Sequence, residues 1–193
     1  VITDTEGADK LPEGYKHNET YQIEVKDSQG ATTIVDVTVT ITGTNDAAEV
    51  TSATKTLTET DGIVRTSGTL THTDVDGADN TFKADTIESD IGTLYIHKSG
   101  EWQFKSSSAY DHLDEGESVT HTFNIFTEDG TPTTVKITIE GTNDAPVATA
   151  DTATTLEDNS VTIDVLANDT DAEDNPLSIK EASVPANQGT VEI

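Results

Sequence analysis

Apolar and polar residues alternate in short runs along most of this chain, and no stretch of any length repeats at helical spacing. The clearest runs are Val35-Asp-Val-Thr-Val-Thr-Ile41 and Val135-Lys-Ile-Thr-Ile139. A period of two puts their β-branched side chains on one face of a strand. Residues 20–26 also alternate, Asp27-Ser-Gln-Gly30 reads as a turn, and residues 32–42 complete a hairpin. Further strands are predicted near 49–58, 63–72, 81–87, 92–97, 101–106, 119–127 and 133–140, with turn residues between them. Such spacing over roughly 100 residues argues for an all-β fold, an antiparallel Ig-like sandwich. Alternation turns Leu57, Ile63, Leu70, Phe82, Ile87, Leu94, Ile96, Trp102 and Phe104 inward, and likewise Leu113, Phe123, Ile125, Val135, Ile137 and Ile139. Trp102, the chain's one Trp, reads as a core plug rather than a sugar platform.

Both of those runs end in the same string, Gly43-Thr-Asn-Asp-Ala47 and Gly141-Thr-Asn-Asp-Ala145, 98 residues apart. Self-similarity at a fixed period outranks any element-by-element reading. Upstream, Leu11-Pro-Glu-Gly14 corresponds to Leu113-Asp-Glu-Gly116; downstream, Asp74-Val-Asp76 corresponds to Asp169-Thr-Asp171. The expected division is the closing half of one repeat over 1–46, a complete repeat over 47–144 and the opening half of another over 145–193. In that last part Val161-Thr-Ile-Asp-Val-Leu166 is expected to form a strand, and Gly189-Thr-Val-Glu-Ile193 is strand-like.

Charge narrows the partners. There are 37 Asp and Glu against 10 Lys and Arg, a formal net charge of -27. Nucleic acid and anionic membrane surfaces would be repelled, and a cation would be attracted. High charge with low hydrophobicity also marks disorder, but regular Val/Ile/Thr alternation argues against it. The absence of Cys removes disulfides and thiolate chemistry. No apolar run approaches the roughly 20 residues of a membrane span, so no membrane insertion is expected in this segment. The five His show no metal-ligand spacing and no Ser sits in a nucleophile elbow, so no catalytic residues are expected.

With Gly92-Thr-Leu-Tyr-Ile96, Ser99-Gly-Glu-Trp-Gln-Phe104, Leu113-Asp-Glu-Gly-Glu117 and Gly141-Thr-Asn-Asp-Ala-Pro146, the central repeat resembles VCBS-type repeats. The C-terminal piece, from Leu156-Glu-Asp158 through Val165-Leu-Ala-Asn-Asp-Thr-Asp171 to Gly189-Thr-Val191, resembles the related bacterial cadherin-like tandem module. Ala48 stands where the second string has Pro146, a departure that loosens the first hinge. The resemblance implies a cell-surface spacer of the kind found in large RTX adhesins exported by type I secretion. Such a spacer projects a distal binding domain for adhesion or biofilm formation and is rigidified by Ca2+ at its junctions.

Ca2+ takes six to eight oxygen ligands at about 2.3 to 2.6 Å. Asp74-Val-Asp-Gly-Ala-Asp-Asn80 offers carboxylates at its first, third and sixth positions but lacks a bidentate Glu at the twelfth. In an Ig-like sandwich the entering linker lies beside the loops at one end. That places Asn45 and Asp46 near Asp74, Asp76 and Asp79, with Glu128 or Asp129 close by. At the other end Glu59, Asp61, Asp114 and Glu115 approach Asn143 and Asp144 and the next module's Asp169, Asp171 and Asp174. The plain alternative is that Asn-Asp and Asp-Gly merely form solvated turns.

Two rival readings remain at this level. One is a module binding sugar or a partner cell through exposed Tyr95, Trp102 or Tyr110. The other is a filament subunit in which the half repeats of neighbouring chains combine, so that partners are repeats of the same chain or of neighbouring chains.

Overall fold

The computed structural model describes residues 10–77, 81–186 and 188–193. It is all-β, with no helix among the described residues beyond a single 3-10 position at Lys10. An N-terminal hairpin pairs β1 (Lys16–Lys26) with β2 (Thr32–Thr42) through an eleven-residue antiparallel ladder. Nine strands follow: β3 (Glu49–Val50), β4 (Ala53–Thr58), β5 (Arg65–Thr69), β6 (His72–Thr73), β7 (Asp85–Glu88), β8 (Gly92–Ile96), β9 (Glu101–Ser106), β10 (Ser118–Phe126) and β11 (Pro132–Glu140).

Two sheets enclose the core. One is antiparallel, in the order β5-β9-β8-β7; the other runs β10-β11-β4. Leu94 and Ile96 from β8, Trp102 and Phe104 from β9, Phe123 and Ile125 from β10, and Val135, Ile137 and Ile139 from β11 are buried in one cluster. Phe104 and Phe123 meet edge to face across the sandwich, centroids 5.9 Å apart. Burying such side chains supplies about 1.5–3 kcal/mol each, so this repeat has its own driving force.

Three sequence expectations change. The strand expected over 49–58 is two strands on different sheets: β3 pairs antiparallel with β6, and β4 runs parallel to β11. The break is held at Thr51, whose carbonyl accepts Thr133 Oγ1 at 2.7 Å and whose N–H donates to Thr71 O at 2.9 Å. Ile63 is exposed, and Val64 takes the inward place. Residues 63 and 70 sit at odd and even positions of one strand and cannot share a face; Val64, Thr66, Gly68 and Leu70 do. Gly68 is the small member of that face because the Trp102 indole covers it: a Cβ there would lie 2.7 Å from the ring.

The third change is C-terminal. Residues 161–166 and 189–193 form no strand, and among the described residues the one pairing in the segment is the Val147–Thr170 bridge. Leu156, Val161 and Ile163 are exposed. In the central repeat β4 is held by β11, and among the described residues no hairpin pairs with residues 151–156.

The β1–β2 hairpin is the counterpart of β10–β11 down to its hydrogen bonds. Gly43 N donates to Tyr15 O, and Gly141 N donates to Glu117 O. The chain reversals match as well, with Asp27 N to Ala31 O and Thr127 N to Thr131 O.

Candidate metal centre

Acidic side chains gather at two places, one around each Gly-Thr-Asn-Asp-Ala string. At the first, Asp46 N donates to Asp76 Oδ2 at 3.2 Å and Asp76 N donates to Asp74 Oδ1 at 3.2 Å. Asp46 and Asp74 line one depression of about 580 Å³. Asn45 turns its amide onto Asp46 O at 2.8 Å. Asp79 lies outside the described residues.

Asp129 reaches the same linker but in a different role. Burial opposes its ionisation, yet donors from Thr127 Oγ1, Thr131 Oγ1, Thr131 N and Ala48 N outweigh that and hold its carboxyl far below the usual range. Both its oxygens are occupied by the protein. It fastens the linker to the β10–β11 turn. Asp74 shifts upward, first because its carboxyl lies against that of Asp76, where only a protonated group could bridge the two, and then because it is partly desolvated; the Asp76 N–H acts the other way.

At the second junction, Glu59 is 2% exposed and its Oε1 accepts both Thr142 N, at 3.1 Å, and Thr142 Oγ1. Glu59, Asp111 and Asp144 each offer an oxygen, all within 4.8 Å of one another. Three oxygens that close can enter one coordination shell of a hard divalent cation. Asp144 N donates to Glu173 Oε1 at 2.6 Å and Asn143 turns its amide onto Asp144 O at 2.6 Å. Asn175 Nδ2 donates to Asp114 Oδ1 at 2.8 Å, which ties the following segment to the sandwich. Burial and then the charges of Glu59, Glu173, Asp61 and Asp111 push the Asp144 carboxyl up. Asp171 moves down, chiefly because Asn175 N donates to it.

The acidic turns are equivalent, with a shift from the sequence match. Asp76 N donates to Asp74 Oδ1, and Glu173 N donates to Asp171 Oδ1. Thr73 pairs with Glu49, and Thr170 pairs with Val147. So Asp171-Ala-Glu173, not Asp169-Thr-Asp171, is the counterpart of Asp74-Val-Asp76. Asp174 then matches Gly77: both adopt left-handed backbone, φ 61° and 66°. Asp174 is exposed and forms the turn, while Asp169 Oδ1 accepts Thr149 N at 2.8 Å. Glu115 is exposed at the rim of a separate depression with Glu117 and Glu140, apart from Glu59, Asp111 and Asp144.

Sequence reasoning missed Asp111 and Glu173. Asp111 follows Tyr110, a non-glycine residue at φ 75° whose hydroxyl meets Ser107 Oγ and Asp90 O. Left-handed backbone at an aromatic residue is uncommon and costs energy; here it turns the loop that carries Asp111. No sequence motif announces it. Tyr110 and Trp102 are buried, which removes two of the three aromatics considered for ligand binding.

The second, independent mark of these clusters is unmet hydrogen-bonding capacity. Among the described residues six buried side-chain polar atoms have no partner, and five are carboxylate oxygens at the junctions. These are Asp74 Oδ2 and Asp76 Oδ1 at the first, and Glu59 Oε2, Asp111 Oδ1 and Glu173 Oε2 at the second. Leaving a buried charged oxygen unpaired is costly, so the donor set fits a hard cation with oxygen preference.

A profile of the bacterial cadherin-like domain matches residues 45–141, and one of the bacterial Ig domain matches residues 143–193. A comparison with curated proteins gave no match. Domains of these two kinds are typically non-enzymatic structural modules, extracellular or surface-exposed. With half of its residues matched by one such profile, the chain belongs to the bacterial cadherin-like domain family.

Proposed function

We propose that this chain is an extender segment of a bacterial surface adhesin, a spacer whose junctions are stiffened by Ca2+. The observation that carries this reading is the set of five partnerless carboxylate oxygens, all at the places where one module meets the next. At the second junction the ion would be held by Glu59 and Asp111 from the sandwich, Asp144 from the linker and Glu173 from the following segment. Asp46, Asp74 and Asp76 would hold one at the first. Without a cation the like charges repel; with one, the linker and both flanking modules share a single coordination shell and bending between them is restricted. Extracellular modules bind Ca2+ with Kd of about 0.1 to 1 mM. The sites would therefore be empty in a calcium-poor cytosol and fill after export, so a flexible string becomes a rod outside the cell. The distal ligand is recognised elsewhere in such a design.

Small-angle scattering and calorimetry of the chain in 10 mM CaCl2 and in excess EDTA test this. At 10 to 100 times Kd each site adds about 1.4 to 2.7 kcal/mol, and for a repeat of this size each kcal/mol moves Tm by about 4–8 °C. Calcium should raise Tm and narrow the distribution of inter-module angles, and Glu59→Gln should remove much of both effects. Identical scattering curves and melting points in the two buffers would sink the proposal.

A further inference from the structure

Arg65 and Lys105 stand directly opposite each other on β5 and β9. Among the described residues neither side chain has an ion-pair or hydrogen-bond partner. Like charges facing each other across an antiparallel pair weaken it. In a chain with 37 acids and 10 bases, of which Arg65 is the one Arg, a neighbouring carboxylate would be the ordinary remedy. None is present. The two cations line a depression of about 510 Å³ on the outer face of the four-stranded sheet, and no Asp or Glu lines it. Other depressions are edged by acids, Asp46, Glu49 and Asp74 in one and Glu115, Glu117 and Glu140 in another.

The register builds this face in two adjacent rows. Lys105 sits between Arg65 and Thr93, and Gln103 sits between Ser67 and Tyr95. Tyr95 is 44% exposed. The side-chain hydroxyls of Ser67, Thr93 and Tyr95 and the amide of Gln103 make no hydrogen bond within the fold. Four polar side chains on this depression thus make no bond to the described residues beside the facing cations, and that pair is a local conflict that folding alone would not favour.

We propose that this face binds a carboxylate-bearing saccharide of the uronate class. The Arg65 guanidinium presents the planar fork that pairs with a carboxylate in bidentate fashion, and Lys105 adds a second donor beside it. Tyr95 offers an exposed ring for the C–H face of a pyranose, and Gln103, Ser67 and Thr93 reach ring hydroxyls as donors or acceptors. A phosphodiester strand also carries one charge per sugar, so preference for the uronate rests on the fit of a planar carboxylate to the guanidinium fork and of the pyranose face to Tyr95.

Titration of the full chain with trigalacturonate at fixed calcium, followed by amide NMR, tests the assignment. Saturable shifts should appear on β5, β8 and β9, Arg65→Gln should weaken binding about tenfold, and Tyr95→Ala should weaken it as well. Arg65→Gln should melt no lower than the parent, since it relieves the facing charges. Neutral galactotriose binding as tightly would overturn the proposal. So would shifts confined to the acidic junctions, equal displacement by inorganic phosphate or a single-stranded oligonucleotide, or undiminished affinity in Arg65→Gln.

Discussion

At Gly141 there is no room for a side chain: a Cβ would stand 2.2 Å from Leu113 O and 2.6 Å from Asp114 O. Gly43 meets Leu11 O and Pro12 O at 2.3 Å in the same way. Both contacts are to backbone, which cannot swing aside, so Gly141→Ala should cost about 3 kcal/mol, read as a fall in the denaturation midpoint. The repeated string itself is plain in the sequence; the reason for its glycine is a contact with a loop some 28 residues away and is not. The acidic turns teach a related lesson. Matching by letter pairs Asp-x-Asp with Asp-x-Asp, whereas the backbone pairs Asp74-Val-Asp76 with Asp171-Ala-Glu173, because a carboxylate one methylene longer meets Asp144 N. Glu173→Gln should therefore weaken the calcium response at the second junction at least about tenfold, measured by titration calorimetry. Asp174→Gly should leave that response intact and hold or raise stability, since glycine adopts the left-handed turn at less cost.

Among the elements, those with strict alternation were readable and those that switch partners were not. The strand β9 falls on 101–106 as its pattern requires, β10 is displaced by one residue at each end, and β11 starts one residue early. The 49–58 run gives no sign that it divides, since the side chains that hold the break, Thr51 and Thr133, are ordinary strand formers. Nor can alternation alone tell Ile63 from Val64; that parity is set by Gly68, which must face Trp102. The β1–β2 hairpin has the longest ladder among the described residues, yet Ile23, Val25, Ile34 and Val35 stay exposed along it. Hydrogen bonds without burial give little protection. Amides of β1 and β2 should exchange with solvent at least roughly a hundredfold faster than those of β8, β9 and β11, and equal protection would mean that another surface covers the hairpin.

For the whole molecule, stability should depend on pH with a sign that calcium reverses. Asp74 and Asp144 have carboxyls raised above the ordinary range in the folded chain. A raised acid binds its proton more readily folded than unfolded, so ionised it detracts from stability, and the loss lifts as pH falls through the raised value toward about 3.9. Relief of repulsion among 37 acids acts in the same direction. Asp129 and Asp171 are lowered, and their contribution is fully present above the ordinary value and lost as pH falls below it toward the depressed one. In EDTA the melting temperature should thus climb from pH 7 to about pH 5 and drop below about pH 4. In saturating calcium the same oxygens hold the ion, protons compete with it, and the temperature should instead fall from pH 7 to pH 5. The double variant Asp74→Asn, Asp144→Asn should flatten the rise in EDTA. A slope of the same sign with and without calcium would mean that the cation does not reside on these carboxylates, and that the acidic junctions act only through their charge.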